Sequence, residues 1–353
     1  MKMTKLAELL LGWYDGAKRD LPWRKDSDPY KIWVSEIMLQ QTRVETVRPY
    51  YKRWLERFPS LGDLAAASDD EVLGYWQGLG YYSRARRLLQ GVREVQADYG
   101  GRVPDSRQEI MAVAGIGEYT AGAILSIAYD RPEPAVDGNV LRIFSRLHCL
   151  VEDIATNAAK RKVGELVMQA MPARRCGDFN QALMDLGATV CLPKTPRCQS
   201  CPIPELCCAY SRDMQQKFPL KRKSAAPRPV QLAAAVVQTH GSYLLRRRPD
   251  KGLLANMWEF PAVELGAAED PRAVLEAAIM TETGQRVEAG GKLLELTHTF
   301  SHRRWHIAFY QCFLQEEALP AGSGICWLKP DEWADLAFAG PHRQMAAQLI
   351  GDG

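Results

Sequence analysis

The chain has 353 residues, 46% of them hydrophobic and 25% charged, with a formal net charge of +3 at pH 7. That length points to two domains rather than one, and the composition excludes a disordered chain. A balance this close to neutral says little about nucleic acid, so local basic clusters matter more: Arg84, Arg86 and Arg87; Lys160 to Lys162; Lys221 to Lys223.

The first segment carries Leu6, Leu9, Leu10 and Trp13 at helical spacing. Glu8 interrupts it and no small-residue cleavage site follows, so an amphipathic helix is expected rather than a signal peptide. No apolar run is long enough to span a membrane, and a soluble intracellular protein is expected. Residues 1 to about 210 read as nearly all helix, punctuated by Pro22, Pro29, Phe58-Pro59-Ser60, Gly100-Gly101 and Pro132 to Pro134. Asp105, Asp137 and Thr156 suit helix N-caps.

Placing Ile32 to Arg43 on one helix points apolar groups nearly all round, with Glu36 among them. Glu36 then shares a face with Ile32, Trp33, Gln40 and Arg43. Two readings stay open. Either Glu36 is a satisfied buried carboxylate, paired with Arg43 for example, or its apolar setting raises its pKa and makes it a general acid. Further on, "WQGLGYYSRARRLL" holds a glycine turn with Leu79 and Tyr81, side chains whose usual place is a core. "DSRQEIMAVAGIGEYTAGAILSIAY" reads as helix, turn, helix, with Gly115 and Gly117 in the turn. The two glycines fit either a plain C-capped hairpin or a backbone that approaches a phosphate. Asp137 precedes an apolar helical stretch, where it fits an N-cap or a carboxylate held ionised by the helix start.

Cys191, Cys198, Cys201 and Cys207 are spaced C-x6-C-x2-C-x5-C, with Cys208 to spare. Only Cys198 and Cys201 form a short hook, so one loop around an iron–sulfur cluster fits better than a zinc ribbon. After a basic, Pro- and Ala-rich linker the texture changes. "VQLAAAVVQ", "SYLLRRR", "KLLELTHTF" and "RRWHIAFYQCFL" read as strands, interrupted by one helix at Pro271 to Thr283. The second domain is therefore expected to be α+β.

The cysteine loop, the hairpin, "LPWR", "VSEIMLQQT", "GLGYYSRAR" and "VDGNVLR" together resemble the endonuclease III, or helix-hairpin-helix, superfamily of DNA glycosylases, and within it the adenine-specific branch. The resemblance implies an all-α glycosylase region over 1–212. It comprises a six-helix module at about 22–134, holding the hairpin at about 105–129, and an iron–sulfur module from 1–21 and 135–212. A linker (213–229) and a Nudix-like 8-oxoguanine recognition domain (230–353) would follow. By the same resemblance Glu36 protonates the base and Asp137 stabilises the oxocarbenium ion, with Tyr119 and Asn139 beside the sugar. Tyr119 stands where strand-cleaving relatives have lysine, which implies base removal without an efficient lyase step. Arg24 and Asp185 would line the base pocket. Gln40, Gln41, Thr42, Leu79, Tyr81, Gly115 and Gly117 would meet DNA, and Phe300, Ser301 and His302 the lesion. Cys191, Cys198, Cys201 and Cys207 would hold a [4Fe–4S] cluster. The implied partner is duplex DNA carrying A:8-oxoguanine or A:G mispairs, bound by a monomer on the nucleoid of a bacterial cytoplasm.

"LLRRRPDKGLLANMWEFP" resembles the opening of a Nudix domain. Registering the Nudix box on Gly284 puts Val263 at its first glycine and Ala277-Ala278 at its Arg-Glu pair. Glu269 and, in the pair Thr281-Glu282, Glu282 are retained. Most magnesium ligands are gone, so no nucleotide hydrolysis is expected.

Overall fold

In the computed structural model, residues 2–221, 226–300, 302–316, 324–333 and 336–351 are described. Two compact units form, Met1–Gly80 with Arg84–Lys223, and Tyr81–Ser83 with Ser224–Gly353.

In the first unit, α1 (Lys2–Ala17) buries Leu6, Leu10 and Tyr14, each four residues after the last. α2 (Pro29–Leu39) starts on Asp28, whose carboxylate accepts the amides of Tyr30 and Lys31, with Pro29 opening the helix. α3 (Val44–Arg57), α4 (Leu61–Ala66), α5 (Asp69–Trp76) and α6 (Ser83–Asp98) follow. Ser60 and Ser68 cap α4 and α5. Trp33, Trp54 and Trp76 are fully buried among these helices, and Trp54 meets both Phe58 and Trp76 edge to face.

The hairpin is α7 (Arg107–Ile110) and α8 (Glu118–Tyr129). Asp105 does not cap α7. Ser106 does, through the Glu109 amide, while Asp105 accepts a hydrogen bond from Arg131 at 2.9 Å. Asp137 and Thr156 do cap α9 (Gly138–His148) and α10 (Asn157–Ala170). With α1 and α11 (Cys176–Thr189), these helices close a second core around Leu10, Val140, Phe144, Val163, Phe179 and Leu183. The single turn α12 (Cys208–Ser211) ends the helical unit.

α2 stops at Leu39, short of the Ile32–Arg43 helix expected from apolar content. Gln41 adopts φ +58°, a left-handed conformation that ends a helix. Arg43 becomes the N-cap of α3, so it shares no helical face with Glu36. The freed carbonyls at the end of α2 are taken by Arg84 of α6. Its Nη1 donates to the carbonyls of Ile37 (2.7 Å), Met38 (3.0 Å) and Gln40 (2.6 Å). Its Nη2 reaches Thr42 Oγ1 and the carbonyls of Leu79 and Gly80. One guanidinium thus fixes two turns, the second of which holds Gly78, Gly80 and Tyr81 at positive φ. Arg84→Ala is expected to cost about 2 kcal/mol in urea unfolding and to speed amide exchange in both turns.

The second unit is a mixed sheet with a helix on each face. Its elements are β1 (Arg228–Thr239), β2 (Ser242–Arg247), β3 (Trp258–Glu259), β4 (Ala262–Glu264), α13 (Pro271–Thr283), β5 (Val287–Thr299), β6 (Arg303–Leu314), β7 (Ile325–Leu328) and α14 (Gly340–Gly351). The strand order is β3-β2-β1-β6-β5, with β4 on β1 and β7 on β2, and β1 runs parallel to β6. β1 explains the layering. Ala233, Ala235 and Val237 pack with Leu275 and Ile279 of α13, whereas Ala234 and Val236 pack with Met345 and Ala346 of α14. A strand covered on both faces reads as a continuous apolar run, as "AAAVV" does.

Candidate active site

A cleft of about 730 Å³ in the helical unit is lined by Glu36 of α2, Tyr119 of α8, Asp137 and Asn139 at the start of α9, and Arg24. Glu36 is 5% exposed, and among the described residues its hydrogen bond comes from the Tyr119 hydroxyl at 2.5 Å. Burial pushes its carboxyl up to about 7, helped by the charge of Asp137 and opposed by the Tyr119 bond and by Arg24. Arg43 plays no part, so the Glu36–Arg43 pair is not formed. Burial also raises the Tyr119 phenol well above its ordinary range, which keeps it a donor.

Asp137 is held differently. Its Oδ1 accepts the amides of Asn139 and Val140, both at 2.8 Å, and its Oδ2 accepts Asn139 Nδ2 at 2.6 Å. The helix start, expected to hold Asp137 ionised, works against burial: burial raises its pKa, and the cap bonds and Arg142 pull only part of the way back. The asymmetry with Glu36 remains: three donors aim at Asp137 and one at Glu36. Asn139, which lines the cleft, also accepts Arg142 Nη2 at 2.9 Å, so its amide is held by its own helix. Arg142 continues to the Gly187 and Cys191 carbonyls, both at 2.8 Å. Gly187 is needed there, since a Cβ would stand 2.4 Å from Asn139 Cβ. Neither Arg142 nor Gly187 was singled out from the sequence, although a cation three residues after Asn139 in an apolar helix was a visible signal.

Arg24 lines the cleft, but Asp185 does not. Asp185 lies fully buried behind it, gripped by Arg24 (2.7 and 2.9 Å) and by Arg19 (2.7 Å). The sequence suggested a pair of pocket residues. The structure makes one the anchor of the other and adds Arg19.

The expected DNA contacts divide. Gln40, Gln41 and Thr42 line the cleft mouth, with Gln41 exposed. Tyr81 is half exposed, whereas Leu79 is buried and presents no side chain to solvent. Gly115 is required by its φ of +79° and by Arg87, which a Cβ would meet at 2.8 Å. Gly117 has open space beside it and begins α8 without a side-chain cap, so its position leaves a bare helix start. In the second unit Phe300 stacks edge to face on Trp305 and His298, and His302 is exposed. Ser301 lies outside the described residues. The retained Nudix carboxylates are occupied: Glu269 accepts the Gly266 amide, and Glu282 takes both of its hydrogen bonds from Arg246.

Cys191, Cys198, Cys201 and Cys207 are all outside disulfides. Burial raises the Cys201 thiol to about 12, and the neighbouring Cys191, Cys207 and Cys198 add to the shift, so the four sulfurs sense one another. Arg146, buried in α9, donates to Cys191 Sγ at 3.2 Å and to the Leu192 and Pro193 carbonyls. Among the described residues no three His, Cys, Asp or Glu side chains are gathered closely enough to hold a single metal ion. Four soft thiols in one loop, with a buried guanidinium to balance their charge, fit a multinuclear cluster as donors. Cys208, spare to the four-cysteine spacing, is paired with Cys149, their Cα atoms 5.8 Å apart.

Residues 34–169 match the HhH-GPD superfamily of base excision DNA repair proteins, and residues 233–348 the NUDIX domain. The adenine DNA glycosylase of Mus musculus is 38% identical over 96% of this chain and 76% of that protein. The chain belongs to the adenine DNA glycosylases. A thermostable thymine-DNA glycosylase shares the helical fold (TM-score 0.54, 29% identity) over 60% of this chain and 97% of that one. Endonuclease III in a trapped covalent complex with DNA shares that fold too, with a TM-score of 0.52, 24% identity, and coverage of 61% and 99%. The protein is thus a base excision repair glycosylase with a Nudix-like second domain. No helix among its described residues is long and apolar enough to cross a membrane.

Proposed function

We propose that the enzyme removes adenine paired with 8-oxoguanine, and with guanine, from duplex DNA. The observation that carries this reading is Glu36: a buried carboxyl with one hydrogen bond, poised near neutral pH, in the same cleft as Asp137. An extruded adenine seated against Glu36 takes its proton and becomes a neutral leaving group. Asp137, ringed by donors, faces the positive charge that develops on the sugar. Tyr119 orients the Glu36 carboxyl and supplies no amine, so the reaction ends at the abasic site. Phe300 and His302 are assigned to the 8-oxoguanine strand, with His302 exposed.

Cys191, Cys198, Cys201 and Cys207 are assigned to a [4Fe–4S] cluster, which when bound cross-links their loop. Exposed Lys194 and Arg197 on that loop suit a phosphate backbone.

Duplexes with A:8-oxoguanine, A:G, T:G and undamaged pairs test the reading. Release of adenine alone, fastest from A:8-oxoguanine and without strand nicking, is expected, while release of thymine would overturn it. Iron and acid-labile sulfide should each be found near four per chain, and zinc in their place would reject the cluster. Tyr119→Phe removes a bond that lowers the Glu36 pKa, so the alkaline fall in rate should move to higher pH.

A further inference from the structure

Three cations line the catalytic cleft: Arg19, Arg24 and Lys160. Arg19 and Arg24 are both bound to Asp185, at 2.6 and 2.7 Å, so the one carboxylate holds both guanidiniums in place and offsets one of their two charges before any ligand arrives. Lys160 is exposed and has no ion-pair partner among the described residues. Its neighbours in the basic run behave otherwise. Lys162 is paired with Glu152 at 2.5 Å, and Arg161 does not line the cleft.

A second observation fixes the direction in which this part of α10 faces. Gly164, one turn beyond Lys160 and on the same helix face, would place a Cβ 4.0 Å from Val136 Cγ2. Val136 directly precedes Asp137 and itself lines the cleft. The Lys160 face of α10 therefore abuts the strand of chain that carries the catalytic carboxylate.

We propose that Lys160 is a phosphate-binding residue of the cleft, holding a phosphodiester of the extruded nucleotide while its sugar lies at Asp137. The inference rests on the base-extrusion reading above. A nucleotide that places its base at Glu36 and its sugar at Asp137 brings the phosphates on O3′ and O5′ to the rim. There an unpaired ammonium is the complementary group. Such a contact stabilises the extruded state specifically, because an intact, stacked duplex does not bring a phosphate into the cleft.

The test uses the full-length protein and two duplexes, one intact and one carrying a tetrahydrofuran abasic analogue, titrated across a series of salt concentrations. Lys160→Ala should weaken binding to the analogue duplex by about tenfold and lower the slope of log K against log salt by about one, with a smaller loss on the intact duplex. Lys160→Arg should restore both quantities. Arg161→Ala, the adjacent control, should act equally on the two duplexes. An unchanged salt slope in Lys160→Ala, or an equal loss on both duplexes, would reduce Lys160 to a solvated surface lysine and overturn the inference. A wild type that does not prefer the analogue duplex would remove the extrusion on which it rests. Failure to release adenine would instead defeat the enzymatic reading, and the binding comparison would still report on Lys160.

Discussion

Glu36→Gln is expected to abolish adenine release and at the same time to yield a protein more stable at alkaline pH. The two effects share one cause. Burial raises the carboxyl from an ordinary 4.5 to about 7. The folded state therefore holds the proton more tightly than the unfolded chain does. Stability linked to Glu36 is complete below about 4.5 and is lost as pH rises through about 7, where the buried carboxylate must ionise. Gln resembles the protonated acid at every pH. Above pH 7 the variant should exceed wild type by about 3 kcal/mol, and below pH 4 the two should converge. Activity moves the other way: losing a general acid costs about 10²- to 10⁴-fold. In the wild type the rate should fall about tenfold per pH unit above pH 7, and this limb should vanish from any residual activity of the variant. Urea unfolding at pH 5 and pH 8.5, beside single-turnover adenine release, checks both halves. A variant no more stable than wild type at pH 8.5 would mean that Glu36 is already ionised and accommodated, and the acid assignment would fall with it.

What the sequence disclosed follows from which interactions are local. Caps such as Asp137 and Thr156 act within three residues of themselves, and both were readable. The apolar texture of β1 and the alternation along β6 gave the second domain its strands, and the residues Pro271 to Thr283 its helix. The end of α2 was not readable, because apolar content continued past it and the decisive group, Arg84, lies more than forty residues away. Arg84 had been seen only as part of a basic cluster. The same holds at the site. Glu36 was visible as an anomaly in an apolar run, but its partner Tyr119 is 83 positions distant. The resemblance places Leu79 among the DNA contacts, yet hydrophobicity sends it inward and leaves Tyr81 outside. The Cys149–Cys208 pairing joins positions 59 apart that no spacing rule connects.

Asp185→Ala should be the most destabilising single change behind the cleft. The carboxylate is wholly buried and faces two guanidinium groups, Arg24 at 12% side-chain exposure and Arg19 at 29%. Burial works to raise its pKa, but the hydrogen bonds and charges of Arg24 and Arg19 outweigh burial and leave it below its ordinary value. Its contribution is therefore present above about pH 4 and is lost as pH falls further. Removing it strands two cations in a low-dielectric wall, at a cost of about 3–5 kcal/mol, or a fall of about 10 °C in Tm. Asp185→Asn keeps the volume and part of the hydrogen bonding, and should lose less. A readout on the chemistry separates an anchor from a base-contacting residue. Arg24 is one of the groups that lower the Glu36 pKa. Once Arg24 is released from Asp185 and drifts toward solvent, that restraint weakens, and the alkaline limb of adenine release should move to higher pH. A residue that only touched the base would change KM and leave the limb where it was. Thermal melts and pH–rate profiles of Asp185→Asn, the variant that retains more of the fold, therefore decide which role Asp185 has.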